Sequence, residues 1–398
     1  MNRIFIECKN DNIEYIKNIF DRISKHNYNF YIYNIYYISC AYGSIKILKF
    51  IIEKVDVNQV NNNGDTGLMI ACYNNKENVV DYLLNLPNIN INYINVNNEV
   101  NALMVCCMEG NLNILKKLMS HPNTNINCKT EYDLTLFLIS CQYNYLDIVE
   151  YFISISINVN SLDFLNNNAL IIACYEENLE IIKYLVKNTN INIDHKNNFG
   201  NNVLLVGCYE NYIEIVKYLL EETKININTI NNLGNNILMM SCLNNNLELL
   251  LYLINKTDID INKFNNYGDT IVSIAIDNRN FEILNKLIKN KRIALDKIRL
   301  FNSIYYSILD ILLNIRVDNV NMYKIIEYII YNTEIRIQKK IADNLNYNIK
   351  NMIINLINKK KEKIIFKNIL LPKDLVKIIF DYSENIIWKD IEMYIIKL

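Results

Sequence analysis

The residues best suited to chemistry in this sequence are its ten cysteines and three histidines, which could bind zinc, form disulfides or act as nucleophiles. Their spacing favours none of these roles. His26, His121 and His195 lie far apart, and none has a cysteine or carboxylate partner at the spacing of a zinc site. Eight of the cysteines instead recur at intervals of 32 to 35 residues: Cys8, Cys40, Cys72, Cys107, Cys141, Cys174, Cys208 and Cys242. A cysteine at one fixed position of a repeat is expected to be a small buried core residue.

Other chemical functions have no motif to support them. Disulfides between repeated cysteines are not expected, because packed helices lie about 8–10 Å apart and a disulfide requires Cα atoms within about 7 Å. The sequence contains no glycine-rich phosphate loop, no Gly-x-Ser-x-Gly motif and no kinase motif set. Glu180, Glu214, Glu248 and Glu282 recur where a helix should begin, and there they complement the helix dipole. We therefore expect a protein that is not an enzyme and that has no metal or cofactor.

A structural unit of about 33 residues accounts for the cysteine spacing. In the copy around Cys208, Gly200 suits a tight turn, Asn202 should cap a first helix, and Asn211 should end that helix in a left-handed conformation. A second amphipathic helix and an extended arm complete the unit. The cap position holds a threonine or an asparagine in every full copy: Thr66, Asn101, Thr135, Asn168, Asn202, Asn236 and Thr270.

This order of helix, tight connection, helix and arm resembles the ankyrin repeat. Gly64-Asp-Thr-Gly-Leu-Met69 and Gly268-Asp-Thr-Ile-Val-Ser273 stand where the family has Gly-x-Thr-Pro-Leu-His. The resemblance implies an all-α repeat solenoid, in which an ankyrin stack is followed by a C-terminal helical region. The turns between repeats, called fingers, depart from the family, because the proline is missing and the histidine position is mostly apolar. We expect more mobile fingers as a result.

The repeat divides the chain into three parts. Residues 1–29 are predicted to form an N-terminal capping repeat, since this copy lacks the preceding turn and carries Glu7 at a position that is small elsewhere. Residues 30–296 are predicted to hold about eight ankyrin repeats of roughly 33–34 residues. The period ends after Asp296, and residues 297–398 are predicted to be a C-terminal helical region, with helices over Ile304–Leu313 and Tyr323–Ile330.

The net charge and the hydropathy of the chain restrict the cellular compartments and the kinds of partner to be expected. The net charge of −1 and the pI of about 6.4 provide no basic field that would favour nucleic acid. No run approaches the ~18 consecutive apolar residues of a membrane span, and acidic residues come too early for a signal peptide. We expect a monomer in the cytoplasm, with the nucleus as the alternative compartment.

The resemblance also implies where a protein partner would bind. Ankyrin-repeat proteins use the finger tips and the exposed face of the first helix. Three neighbouring copies carry a large apolar residue directly before the turn glycine, namely Phe199, Leu233 and Tyr267. Partner binding is expected at these residues. The asparagines around them have the alternative interpretation of being good turn residues.

A second motif lies near the C-terminus. Leu371 and Pro372 precede a helical pattern in which Leu375, Ile378, Ile379 and Tyr382 share one face. The motif resembles the start of an F-box, and also the F-box-like segment that ends many poxvirus ankyrin-repeat proteins. The resemblance implies that the segment near residues 370–395 docks on the Skp1 adaptor of a cullin ubiquitin ligase, in a viral protein that acts in a host cell. The alternative is a helix that caps the stack, with Trp388 and Tyr394 packed inside.

The sequence therefore favours a protein–protein interaction module, either a substrate adaptor for a ubiquitin ligase or a plain binding scaffold. An enzyme within residues 297–398 is the competing hypothesis from another class, and no motif supports it.

Overall fold

The computed structural model describes residues 2–20, 28–295, 298–301 and 304–306, together with residues 325 and 355. These residues fall into two compact units, with the division of the chain between Asn198 and Phe199. We call them the N-terminal unit and the C-terminal unit. Nearly all of the described regular structure is helical, which confirms the predicted all-α repeat architecture.

The described helices follow each other in pairs, each with a first and a second helix. In the N-terminal unit they are α1 (Asn2–Lys9), α2 (Ile13–Phe20), α3 (Tyr28–Tyr42), α4 (Ile45–Ile51, continued by a 3₁₀ turn at Ile52–Lys54), α5 (Gly67–Tyr73), α6 (Glu77–Leu84), α7 (Ala102–Glu109), α8 (Leu112–Ser120), α9 (Leu136–Gln142), α10 (Leu146–Ser154), α11 (Ala169–Tyr175) and α12 (Leu179–Asn188). In the C-terminal unit they are α13 (Val203–Glu210), α14 (Ile213–Glu222), α15 (Ile237–Leu243), α16 (Leu247–Lys256), α17 (Ile271–Asp277) and α18 (Phe281–Leu287).

The core of each unit is formed by stacked first helices. In the N-terminal unit α5 packs on α7 and α7 on α9, and in the C-terminal unit α13 packs on α15 and α15 on α17. A first helix also packs on its own second helix, so its side chains are covered on several sides and must be apolar. Helix α7 buries every residue from Ala102 to Cys107. All ten cysteines are buried free thiols, which confirms that they are small core residues.

The first helices begin at the predicted caps. The side chains of Thr66, Asn101, Thr135, Asn168, Asn202 and Asn236 each accept a hydrogen bond from the backbone N–H three residues later. At Thr270 the Ser273 hydroxyl also accepts a hydrogen bond, 3.0 Å long, from the Thr270 backbone N–H. These contacts satisfy donors that a helix start leaves without an intrahelical partner.

Asparagine side chains also connect neighbouring arms. Asn58 donates its Nδ2 to the carbonyl of Asn88 at 2.7 Å, and its Oδ1 accepts the N–H of Asn90 at 2.8 Å. Asn92 makes the same two contacts with the next arm, at Asn123 and Asn125. A side-chain amide thus replaces one rung of a backbone ladder between arms. The abundance of asparagine has a structural cause at these positions.

A further set of polar side chains connects successive helix pairs. In four copies, the residue four positions after the repeated cysteine donates a hydrogen bond to the carbonyl of the cysteine in the preceding copy. The pairs are Ser44 with Cys8, Asn111 with Cys72, Asn178 with Cys141, and Asn246 with Cys208. At Cys141 and Cys208 the contact supplies a donor to a carbonyl near the end of a first helix, where intrahelical donors are absent. At Cys8 and Cys72 it adds a second donor, because the backbone N–H groups of Asp11 and Asn75 already donate to these carbonyls.

The described residues after α18 differ from the sequence prediction. Arg299–Phe301 and Ile304–Tyr306 form two antiparallel strands, β1 and β2, with Arg299 opposite Tyr306. The predicted helix from Ile304 is therefore wrong at residues 304–306. Isoleucine and tyrosine favour strands when a neighbouring segment offers backbone partners. The prediction used only the helical spacing of the apolar residues and did not consider this preference.

Candidate protein-binding surfaces

The finger turns of the C-terminal unit present a row of apolar side chains, which we call the tip row: Phe199, Leu233 and Tyr267. Their side chains are 55%, 45% and 65% exposed. The N–H of Asn232 donates to the carbonyl of Phe199 at 3.0 Å, and that of Asn266 donates to the carbonyl of Leu233 at 2.9 Å. These two bonds join consecutive turns, so the structure brings the three predicted residues onto adjacent turns.

The turn backbone that positions these residues is defined by its polar neighbours. Gly200, Gly234 and Gly268 all have positive φ, as predicted. Within one turn, Asn231 Oδ1 accepts the N–H groups of Leu233 at 3.0 Å and Asn235 at 2.9 Å. Asn265 accepts the equivalent pair from Tyr267 and Asp269. An asparagine therefore supplies turn hydrogen bonds in fingers that lack the family histidine.

Sequence reasoning missed a second apolar feature, which lies on the first helices. In four copies the position directly after the repeated cysteine holds an exposed large apolar residue, namely Tyr73, Tyr175, Tyr209 and Leu243, which are 62%, 38%, 42% and 36% exposed. Large exposed side chains at one position of a buried helix indicate a contact surface. Their regular spacing behind the cysteine was visible in the sequence and could have revealed them.

The N-terminal unit contains a cleft that the sequence did not reveal. Its volume is about 330 Å³, and its walls include Tyr132, Asp163, Phe164, Tyr175 and Glu176. The Tyr132 and Phe164 rings have centroids 5.3 Å apart and planes inclined by 49°. Both residues are 51% exposed. Tyr132 precedes the turn residue Asp133, so it occupies the same repeat position as the tip row.

The polar groups of this cleft have different surroundings. Asp163 accepts hydrogen bonds from the backbone N–H groups of Leu165 at 3.0 Å and Asn167 at 2.7 Å, so it supports its own turn. Tyr132 lies beside Glu131, and a hydrogen bond with that carboxylate raises the pKa of the Tyr132 phenol. Glu176 follows directly after α11 and is exposed.

The charges at the helix ends differ between first and second helices. Among the described first helices from α5 to α17, none has a basic residue in its last turn. Acidic residues lie at the end of α7, α13 and α17 and directly after α11: Glu109, Glu210, Asp277 and Glu176. The carboxyl end of a helix is already partially negative. The ends of several first helices therefore favour cations.

The other predicted features have different outcomes. The adaptor-docking residues Leu371, Pro372, Leu375, Ile378, Ile379 and Tyr382 lie outside the described residues. Within the described part of the chain, no three His, Cys, Asp or Glu residues are grouped in a way that could hold a metal ion. No helix in that part has the length and apolar character needed to cross a membrane.

Comparison with known proteins agrees with the architecture. The family model described as Ankyrin repeats (3 copies) matches three segments, residues 35–130, 136–231 and 224–297, which together make up more than half of the chain. A search of curated proteins found no match. Ankyrin repeats are generally protein–protein interaction modules, and the family is typically non-enzymatic.

Proposed function

Because the chain belongs to the ankyrin-repeat family, we propose that it is a non-enzymatic, monomeric binding module that holds a protein partner through its finger tips and first helices. The tip row of Phe199, Leu233 and Tyr267 is the observation that carries this proposal. Its side chains are about half exposed or more, on turns joined by backbone hydrogen bonds.

The apolar side chains of the tip row are unfavourably exposed to water in the free protein. Burying apolar surface gains about 25 cal/mol per Å², and aromatic residues commonly dominate the binding energy of protein interfaces. Tyr209 and Leu243 extend the apolar surface onto α13 and α15. A partner that covers both the tips and these helix residues would remove most of the exposed large apolar side chains described in this unit.

The test is affinity purification from cell extract with the full chain as bait. The variant carries Phe199→Ser, Leu233→Ser and Tyr267→Ser together, and the control carries Val96→Ser. Val96 is 80% exposed in a finger turn of the N-terminal unit, so the control removes exposed apolar surface without changing a residue of the tip row. We expect partners that the wild type and the control retain and the triple variant loses. Equal retention by all three proteins would show that the tip row is not the contact.

A narrower proposal concerns the C-terminal segment. We propose that the segment over residues 371–382 docks on Skp1 and makes the protein a substrate adaptor for a cullin ubiquitin ligase, in the cytoplasm or nucleus of a host cell if the protein is viral. Its support is the sequence pattern of Leu371, Pro372 and the apolar face that follows. We also propose that the chain divides into a capping repeat over 1–29, ankyrin repeats over 30–296 and a C-terminal helical region over 297–398, a division based on the repeat period.

The adaptor proposal has a direct test against its alternative, a plain binding scaffold whose C-terminal helices cap the stack. The full chain is compared with a truncation that ends at Asn368 and with the double variant Leu375→Asp, Ile379→Asp. Skp1 and cullin should copurify with the full chain and be absent from both altered forms. If no ligase component copurifies with the full chain, the scaffold alternative holds.

A further inference from the structure

The cleft of the N-terminal unit is formed by two finger turns and the end of a first helix. Tyr132 and Phe164 belong to consecutive fingers, which the N–H of Phe164 joins by donating to the carbonyl of Tyr132 at 3.0 Å. Tyr175 and Glu176 come from the end of α11. The volume of the cleft is about 330 Å³. This is the lower end of the range of about 300–1,000 Å³ for small-molecule pockets, so the cleft can admit a group of the size of one large side chain of a partner.

The chemistry of the walls selects the kind of side chain. Aromatic rings present a negative face that attracts cations, and guanidinium groups most often make this contact. Two wall residues, Asp163 and Glu176, are carboxylates. The negative end of the α11 dipole adds to the same field. Anionic groups are therefore disfavoured in the cleft, and a neutral apolar group would leave the carboxylates without a counter-charge.

The carboxylates of Asp163 and Glu176 differ in their hydrogen-bond partners and surroundings. The Oδ1 atom of Asp163 is occupied by backbone N–H groups of its own turn, and its Oδ2 accepts the Asn167 side chain at 2.9 Å. Glu176 lies at the exposed end of α11, where a carboxylate opposes the helix dipole. Glu176 is thus the group whose position the helix does not explain and whose charge a bound cation would offset.

We propose that this cleft receives an arginine side chain of the protein partner, with the guanidinium against the Tyr132 and Phe164 rings and paired with Glu176. Arginine fits better than lysine, because its planar guanidinium stacks on rings and still presents N–H donors to a carboxylate. The inference rests on the proposed function, and it names the chemistry that the partner must present to the N-terminal unit.

The experiment uses the full chain and a defined probe, the acetylated and amidated peptide Gly-Ser-Gly-Arg-Gly-Ser-Gly. Binding is measured by ligand-observed saturation-transfer NMR at low ionic strength. Three matched peptides replace arginine by citrulline, lysine or glutamate. Citrulline keeps the shape of arginine without its charge, so it separates charge recognition from packing. We expect the arginine peptide to bind most tightly, the lysine peptide more weakly, and the other two not measurably.

The variants test the assigned residues. Glu176→Gln keeps the size of the side chain and should weaken arginine-peptide binding roughly two- to fivefold, because it removes an exposed ion pair. The pair Tyr132→Ser and Phe164→Ser should abolish it, and both residues are exposed enough to be replaced without loss of the fold. The control is Tyr73→Ser, because Tyr73 occupies the same repeat position as Tyr175 but lies outside the cleft. It should leave binding unchanged.

The outcomes are distinct from those of the partner test. Equal binding of the citrulline peptide, no binding of the arginine peptide, or an equal loss in Tyr73→Ser would each overturn the inference. If partners are captured through the tip row but the arginine peptide does not bind, the inference alone fails. If the peptide binds but no partner is captured by the wild type, the proposed function fails.

Discussion

The hydrogen bond between Asn178 and the preceding helix pair allows a quantitative prediction. Asn178 is 6% exposed, and its Nδ2 donates to the carbonyl of Cys141 at 3.0 Å and, less closely, to that of Gln142 at 3.4 Å. Both carbonyls lie in the last turn of α9, where intrahelical donors are absent. Asn178→Ala removes the Nδ2 donor, so the buried Cys141 carbonyl loses the hydrogen bond that it accepts from this side chain.

The expected loss follows from two terms. The hydrogen bond itself contributes about 0.5–1.5 kcal/mol, and a buried carbonyl left unsatisfied costs about 1–3 kcal/mol. Both ranges include the loss of the contact to the same carbonyl, so the sum of the two energies is an upper limit. Asn178 makes no capping hydrogen bond to α12, so no capping energy is lost. We expect Asn178→Ala to lower the free energy of unfolding by about 2 kcal/mol.

The assay is urea unfolding followed by far-ultraviolet circular dichroism, with Asn188→Ala as the matched control. Asn188 lies at the end of the same helix pair, and its Nδ2 donates to the carbonyl of Tyr184 at 2.9 Å on an exposed surface. The control should change stability by less than about 0.5 kcal/mol. Similar losses in the two variants would refute the reasoning, because burial of the hydrogen bond would then carry no weight.

Four further predictions concern single positions. Asn236→Thr should raise the free energy of unfolding by about 1 kcal/mol, since threonine keeps a cap oxygen and removes an Nδ2 group that is buried without a partner among the described residues; a lower urea midpoint would contradict it. Gly234→Ala should lower stability by about 2 kcal/mol, because φ is +79° and the new Cβ would lie 2.8 Å from the backbone nitrogen of the next turn; an unchanged melting temperature would exclude this strain. Burial raises the pKa of Cys208 and Cys242 from 9.0 to about 12, so above pH 9 the unfolded state binds fewer protons, and stability should fall with a slope that grows to roughly 1.4 kcal/mol per pH unit for each thiol at about pH 11; urea titrations between pH ~8 and ~11 should show this steepening loss, and Cys208→Ala should reduce it. Glu176→Gln should raise stability by about 0.3 kcal/mol while weakening the arginine peptide; a decrease in stability would make Glu176 a structural residue.

Features set by neighbouring residues could be predicted from the sequence, whereas those set by contact between distant segments could not. Thr66 and Asn202 cap helices because a short polar side chain reaches the N–H three residues later. Gly200 adopts positive φ because it lacks a Cβ. The contact between Asn178 and Cys141 spans 37 residues. It required the packing of two helix pairs to be known.

Of the candidate binding surfaces, the tip row could be predicted from the sequence and the cleft could not. The tip row was visible because three copies carry an apolar residue at one repeat position. Phe164 was not visible, because in its copy the exposed aromatic comes one residue earlier and Leu165 stands directly before the turn residue. Only the structure shows that Phe164 lies against Tyr132. The cleft therefore depends on a pairing between two fingers that are not identical in sequence.

The helix ends show where stability alone does not explain the sequence. The second helices α12, α16 and α18 each carry an acid in the first turn and a base in the last turn, such as Glu180 and Lys187 in α12. Both placements match the helix dipole. Helix α14, in contrast, begins with an acid and ends in Glu221 and Glu222. The first helices from α5 to α17 lack basic residues in the last turn, and several of them end beside an acid. Among these first helices, only at α11 and α13 does an acid at the negative end coincide with an exposed tyrosine. A carboxylate at that end opposes the helix dipole, and the arginine proposed for the cleft beside α11 would offset its charge.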